Sequence, residues 1–175
     1  MRMLLTAVFI IIFNNQAALA SDDPFADAKA GKIECFSPNT EKKTCFDFSH
    51  YTWQADGTVI IEDEMALSAN PPISVKTKSV STVEKSSVCT KVLANSQEYN
   101  TFFKDGKPMS AEESAPLQQN LISNMSRFIG RTVCMDISPY ESVYIAEFTI
   151  DGTPLPTATN RMKWIGTDEG YTLAP

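Results

Sequence analysis

The chain has 175 residues, with 15 Lys and Arg against 21 Asp and Glu, which gives a formal net charge of −6 at pH 7. An acidic surface repels phosphate groups, so nucleic acid and anionic lipid are excluded as expected partners. The length allows one domain with its own hydrophobic core and is short for two.

Residues 1–20 contain the three parts of a cleavable export signal. Arg2 supplies the positive start, residues 4–13 an apolar run, and Ala18-Leu19-Ala20 a small-x-small cleavage site. The apolar run is shorter than the roughly 17 to 25 residues that cross a bilayer. The sequence therefore predicts cleavage after this site and a single exported domain over residues 21–175. No membrane anchor would remain, and the location would be periplasmic or secreted.

The first β structure is expected in a hairpin. A short helix over residues 22–30 precedes it and is ended by a glycine. Two strand-like runs, 44–54 and 58–67, then flank an Asp-Gly pair, which is a strong hairpin signal between β-rich runs. The sequence predicts that Asp56 and Gly57 form a two-residue turn.

The two-residue turn sets which side chains of this hairpin share a face. It pairs Phe46 with Leu67 on a mostly apolar face that we expect in the core. Tyr51 and Trp53 fall on the opposite face with acidic neighbours such as Glu62, which is typical of a surface seen by water or by a partner. Exposed aromatic side chains often anchor partners, so Tyr51 and Trp53 are the candidate binding residues. Packing is their alternative role.

The same turn places His50, the only histidine, opposite Asp63 on the apolar face. As a functional pair they would be a base and its orienting carboxylate, but no nucleophile or oxyanion site accompanies them. As a structural pair they would form a polar contact whose contribution is lost as pH rises through the folded pKa of the histidine. We expect the structural role.

More strands are expected on both sides of a helix. Residues 73–93 alternate and are rich in Val, Thr and Ser, which predicts a second hairpin turning at Lys85-Ser86-Ser87. Strand-like runs close the chain at residues 131–137, 142–150, 161–165 and 171–173.

The main helix is predicted over residues 110–130. Ser110 and Glu113 fit a capping box, and an apolar stripe follows at helical spacing. Pro116 leaves two alternatives for the start: the helix begins near Ser114, or a first turn at Ser110 is broken and restarted. The stripe consists of Leu117, Leu121, Met125 and Phe128.

An even number of cysteines in an exported chain favours disulfides over free thiols. Three pairings are possible. We favour Cys35–Cys45, which closes a short loop, and Cys89–Cys134, which joins two segments of similar sequence. There is no C-x-x-C pair, so a zinc site is not expected, and neither a metal nor a cofactor is predicted.

No catalytic motif is recognisable: G-x-S-x-G, H-E-x-x-H and a phosphate loop are all missing from the sequence. We therefore predict no catalytic residues. The expected fold is an α+β domain in which an antiparallel sheet is covered on one face by the main helix and stabilised by two disulfides.

The expected function is binding of an envelope or extracellular protein or ligand without catalysis. The alternative is a small exported hydrolase that uses carboxylates distant in sequence and close in space. A deep cleft with at least two acids would favour the hydrolase, and a flat aromatic patch would favour the binding protein.

Overall fold

A computed structural model describes residues 23–95, 100–156 and 159–175. The predicted export signal lies outside these residues. The helices are α1 (Ala26–Lys29) and α2 (Ala111–Met125), the latter followed by a 3₁₀ turn at Ser126–Phe128. The strands are β1 (Ile33–Phe36), β2 (Thr44–Cys45), β3 (Asp47–Trp53), β4 (Thr58–Ala69), β5 (Pro72–Glu84), β6 (Ser87–Lys91), β7 (Thr101–Lys104), β8 (Lys107–Pro108), β9 (Thr132–Tyr140), β10 (Val143–Ile150), β11 (Thr153–Pro154), β12 (Asn160–Ile165) and β13 (Thr172–Leu173).

Eight antiparallel strands close into a barrel. They follow one another around it in the order β1, β3, β4, β5, β6, β9, β10 and β12, and β12 pairs with β1 to complete the circle. The predicted antiparallel sheet is confirmed, but it closes into an eight-stranded barrel, so the fold is closer to a β-barrel than to the predicted α+β domain. Because the sheet closes on itself, its inner face is covered by its own side chains and needs no helix.

The N-terminal segment packs against the aromatic core of the barrel. Phe25, which precedes α1, is fully buried against Tyr51, Trp53 and Trp164, with ring centroids 6.2–6.3 Å away. The indole Nε1 of Trp164 donates a 2.8 Å hydrogen bond to the carbonyl of Pro24. This contact ties the lead-in segment to the last barrel strand.

The predicted hairpin of β3 and β4 forms, but its register differs by one residue. The amide of Gln54 donates to the carbonyl of Thr58, so three residues lie between the closing pair, and Gly57 has a φ of +86°. Tyr51 therefore lies opposite Ile61. Because side chains alternate along a strand, this one-residue change turns the predicted outer face of β3 toward the core.

The predicted core pair of this hairpin is consequently wrong. Phe46 is 37% exposed and Leu67 is 38% exposed. The inward residues of β4, such as Val59 and Ile61, are buried as expected. The error is confined to β3 and to the end of β4, where the pairing with β5 shifts register between Ala66 and Ser68.

The second hairpin and the main helix agree more closely with the sequence. Strands β5 and β6 meet at a turn in which Lys85 has a φ of +54°. The Ser110 and Glu113 capping box is present. The helix continues through Pro116 without a break, so neither predicted start is right. No residue of α2 is fully buried, and its apolar stripe is only half-buried.

Both predicted disulfides are present. Cys89 and Cys134 lie directly opposite each other on β6 and β9, and Cys35 and Cys45 join β1 to β2 on the outside of the barrel. Disulfides indicate an oxidising environment, either extracellular or periplasmic. No helix in the described ranges has the length and apolar composition needed to cross a bilayer.

Candidate functional site

A cavity of about 240 Å³, which we call the inner chamber, lies among the inward side chains of the barrel and is partly open to solvent. Its lining comes from seven of the eight barrel strands, so it is the interior of the barrel and not a surface groove. One side is acidic and hydroxyl-rich, and the opposite side is apolar. The lining residues are Glu34, Phe36, Asp47, Ser49, Tyr51, Ile61, Asp63, Ser79, Val88, Thr90, Val133, Met135 and Phe148.

Three carboxylic acids come together on the acidic side. Glu34 on β1 lies opposite Ser49 on β3, and Ser49 lies opposite Asp63 on β4. Asp47 is two residues from Ser49 on the same strand and therefore faces the same way. The pleat of three adjacent strands thus directs Glu34, Asp47 and Asp63 into one chamber.

Glu34 is the most deeply buried of these acids, with 3% of its surface exposed. The hydroxyl of Tyr51 donates a 2.5 Å hydrogen bond to its Oε2. Burial raises the pKa of Glu34 to about 7, the bond from Tyr51 opposes this rise, and the charge of Asp63 adds to it. Glu34 therefore changes its charge near neutral pH.

Asp47 has an oxygen without a hydrogen-bond donor. Its Oδ1 is fully buried and, among the described residues, accepts no hydrogen bond. Burial, together with the charges of Asp63, Glu34 and Glu64, raises the pKa of Asp47 to about 8. A buried acceptor without a donor costs free energy, so this position favours a ligand that brings one.

Asp63 is held by neighbouring hydroxyl groups. Thr77 on β5 donates a 3.3 Å hydrogen bond to its Oδ2, and Ser49 also hydrogen-bonds to it. These bonds lower the pKa of Asp63, but burial outweighs them and the net shift is upward. Asp63 is thus an oriented carboxyl group beside the other two acids.

The predicted binding residues point into the barrel. Tyr51 lines the inner chamber, and Trp53 packs beside it with the rings 6.5 Å apart. Lys29 lies 5.0 Å from the centre of the Trp53 ring. The expectation that both aromatics lie on an exposed outer face is wrong, because the longer turn reverses the orientation of β3.

The predicted contact between His50 and Asp63 is also absent. His50 lies opposite Glu62 and is exposed, whereas Asp63 lies opposite Ser49 and faces the chamber. Neighbouring strand residues point to opposite faces, so the same shift of one residue separates the pair. Only Asp63 belongs to the site.

Sequence reasoning missed Glu34 and Asp47. Both interrupt short apolar stretches: Glu34 lies in Ile-Glu-Cys-Phe and Asp47 in Phe-Asp-Phe. A charged residue inside an apolar strand is a signal of a buried polar site when the strand is covered on both faces. The outer face of β1 is indeed covered, since Cys35 is fully buried in a cluster with Cys45 and Ile165.

A second cavity adjoins the inner chamber at the edge of β5. This side chamber has a volume of about 660 Å³ and a mostly apolar wall. One edge of β5 pairs with β6 over β5 residues 81–84 and with β7 over β5 residues 73–76. In the described ladders, residues 77–80 of β5 lie between these two pairings. The side chamber is lined by Met65, Thr77, Lys78, Ser79, Val80, Thr90, Lys91, Val92, Leu93, Asn95, Asn100, Leu121 and Met125.

The described ranges contain no group of three His, Cys, Asp or Glu side chains placed to hold a metal ion. Glu34, Asp47 and Asp63 all line the inner chamber. Such a space is suited to an organic group with several hydrogen-bond donors.

Comparison with protein-family models, with curated proteins and with solved structures found no match. The chemistry of the two chambers is therefore the basis for a functional proposal.

Proposed function

We propose that the protein binds a small organic cation in the inner chamber without catalysis, as an exported ligand-binding protein. The observation that carries this proposal is the set of three inward carboxylic acids around one cavity, one of them with a buried Oδ1 that lacks a donor. An ammonium or guanidinium group supplies both positive charge and N–H donors.

Electrostatics support a positively charged ligand. Glu34, Asp47 and Asp63 repel one another when ionised, and this repulsion adds to the effect of burial in raising the pKa values of Glu34 and Asp47. A cation among them relieves the repulsion and favours ionisation. By thermodynamic linkage, the ligand then binds more tightly where the acids are already ionised.

The size of the chamber supports a small bound group. Eight-stranded barrels have interiors that are filled by side chains or hold one small ligand. A volume of about 240 Å³ suits an amine or guanidine with a few carbon atoms.

The proposal keeps the predicted binding role and changes its partner. The sequence predicts that an envelope or extracellular protein or ligand binds to Tyr51 and Trp53 on an exposed face. Since both face inward, we propose a small ligand in place of a protein, with Tyr51 in the wall of its site.

Calorimetric titration with ethylamine and with guanidinium tests this proposal. We expect binding at pH 8, weaker binding at pH 5, and at least tenfold weaker binding to Asp47→Asn. The matched control is Glu62→Gln, which removes one carboxylate from the outer face of β4 and should leave the affinity unchanged. Equal affinity in both variants, or no binding to the wild type, would contradict the proposal.

The hydrolase remains a second candidate because of one observation. Glu34 has a pKa of about 7 and lies beside other carboxyl groups, as a general acid does in glycoside hydrolysis. Activity against small aryl glycosides that is lost in Glu34→Gln, with a pH profile falling near pH 7, would support it. No turnover by a protein that binds ethylamine would exclude this candidate in favour of binding.

A further inference from the structure

We infer that the side chamber holds the apolar part of the same ligand, so that the ligand is an amphipathic amine with its cationic head among the acids and its hydrocarbon part against α2. This inference rests on the proposed function. It adds the class of the ligand and its orientation.

The two chambers adjoin each other and share two lining side chains. Ser79 on β5 and Thr90 on β6 line both of them. Thr77 lines the side chamber and donates its hydroxyl hydrogen bond to Asp63. A molecule whose head reaches Asp63 therefore has its remaining atoms directed past Thr77 and Ser79.

The two chambers meet at one edge of β5. Residues 77–80 lie on an edge of β5 between the described pairings with β6 and β7. Helix α2 lies over this part of the barrel, with Leu121 and Met125 in the chamber wall. A ligand that occupies both chambers would therefore cross this edge of β5, between its described pairings with β6 and β7.

The composition of the side chamber fits a hydrocarbon group. Met65, Val92, Leu121 and Met125 provide apolar surface. Val80, which is 61% exposed, also lines it. A hydrocarbon bound here would cover apolar atoms that otherwise contact water.

The charges set the direction of the ligand. Lys78 and Lys91 lie at the side chamber, and Lys78 forms an ion pair of 3.0 Å with Glu62 on the outer face. Two ammonium groups disfavour a cationic head in the side chamber, whereas Glu34 and Asp47 favour it in the inner chamber. The head therefore points inward and the hydrocarbon outward.

A series of primary amines from ethylamine to octylamine, titrated calorimetrically below micelle-forming concentrations, tests this inference. Each buried methylene should tighten binding about fourfold, from about 0.8 kcal/mol each. Ethylamine reports on the proposed function alone, because it fits within the inner chamber. The increase in affinity from ethylamine to octylamine reports on the side chamber.

Two substitutions on α2 make the test specific. Leu121→Trp fills the side chamber. It should abolish most of the increase in affinity with amine chain length and leave the affinity for ethylamine unchanged. Asn124→Trp places the same ring on the exposed side of the helix. It should change neither the affinity for ethylamine nor the increase in affinity with chain length. Because no residue of α2 is fully buried, both variants are expected to fold.

The outcomes separate the two proposals. Ethylamine binding with no dependence on chain length, or a dependence that persists in Leu121→Trp, would overturn this inference and leave the proposed function standing. A concentration-dependent dimer that Leu121→Trp dissociates, with no dependence on chain length, would assign the side chamber to a second copy. Failure of every amine to bind would overturn both proposals.

Discussion

The hydroxyl of Tyr51 donates a 2.5 Å hydrogen bond to Oε2 of Glu34, linking the adjacent strands β3 and β1 on the inner face of the barrel. This bond gives a buried carboxyl group a partner without neutralising it. Burial still dominates, so the pKa of Glu34 rises to about 7. The acid at the centre of the site is therefore held in place and remains able to respond to a cation.

Replacing Glu34 by Gln should change how stability depends on pH. The folded pKa of about 7 exceeds the ordinary value of 4.5, so the stabilisation from proton binding is complete below pH 4.5 and is lost as pH rises through 7. Between pH 5 and pH 8, the free energy of unfolding of Glu34→Gln should therefore rise relative to that of the wild type. The rise should be up to about 3 kcal/mol, at about 1.4 kcal/mol per pKa unit. Urea unfolding at both pH values measures this difference.

Glu62→Gln is the control for that measurement. Its hydrogen bond and ion pair with Lys78 hold the pKa of Glu62 below its ordinary value of 4.5, so Glu62 is mainly ionised at both pH values. The stability difference from wild type should stay constant between pH 5 and pH 8. A constant difference for Glu34→Gln as well would show that Glu34 does not titrate in this range.

Tyr51→Phe should raise the pKa of Glu34 above its wild-type value, because the hydrogen bond to the ionised carboxylate is lost. Bonds to charged groups contribute about 1.5–3 kcal/mol, so we expect a loss of this size at pH 8 and a smaller loss at pH 5. Carbon-13 NMR of the Glu34 carboxyl group and urea unfolding measure the two effects. Tyr140→Phe, which alters an exposed ring, should produce neither. An unchanged Glu34 titration in Tyr51→Phe would rule out this role.

The two disulfides should contribute unequally to stability. Cys89–Cys134 closes a sequence separation of 45 residues and Cys35–Cys45 one of 10. Loop-closure entropy gives about 4 kcal/mol for the longer loop and about 2.7 kcal/mol for the shorter. Thermal unfolding of the two double-alanine variants should therefore show the larger loss for Cys89 and Cys134. The reverse order would mean that native-state packing around Cys35 outweighs chain entropy.

Phe25→Ala should loosen the aromatic cluster of the barrel. Phe25 is fully buried among three aromatic rings, and truncating such a residue costs about 3–5 kcal/mol. We expect a lower melting temperature and altered fluorescence of Trp53 and Trp164. Phe46→Ala, at a position that is 37% exposed, should cost much less. Similar losses in the two variants would argue against a core role for Phe25.

Local signals in the sequence predicted local structure well. The Ser110 capping box, the second hairpin and both disulfides depend on neighbouring residues or on cysteine chemistry, and all are present. The turn at Gly57 shows the limit of such signals. Two-residue and three-residue turns share the Asp-Gly signature, yet they orient β3 oppositely, so one residue decided whether Tyr51 faces water or the core.

The acidic site depends on contacts distant in sequence. Glu34, Asp47 and Asp63 meet only because β1, β3 and β4 are adjacent, and the chamber exists only because β12 returns to β1. Barrel closure pairs the two ends of the chain, and no local pattern specifies it. The apolar neighbours of Glu34 and Asp47 were the only signal, and they became informative once the barrel was known.

The most direct test of cation binding is carbon-13 NMR of the side-chain carboxyl groups during titration with ethylamine at pH 8. If an organic cation binds in the inner chamber, the signals of Glu34, Asp47 and Asp63 shift together with one binding constant, while that of Glu62 stays fixed. Shifts of Glu62 and other surface carboxyl groups, with Glu34 and Asp47 unchanged, would contradict the proposed site.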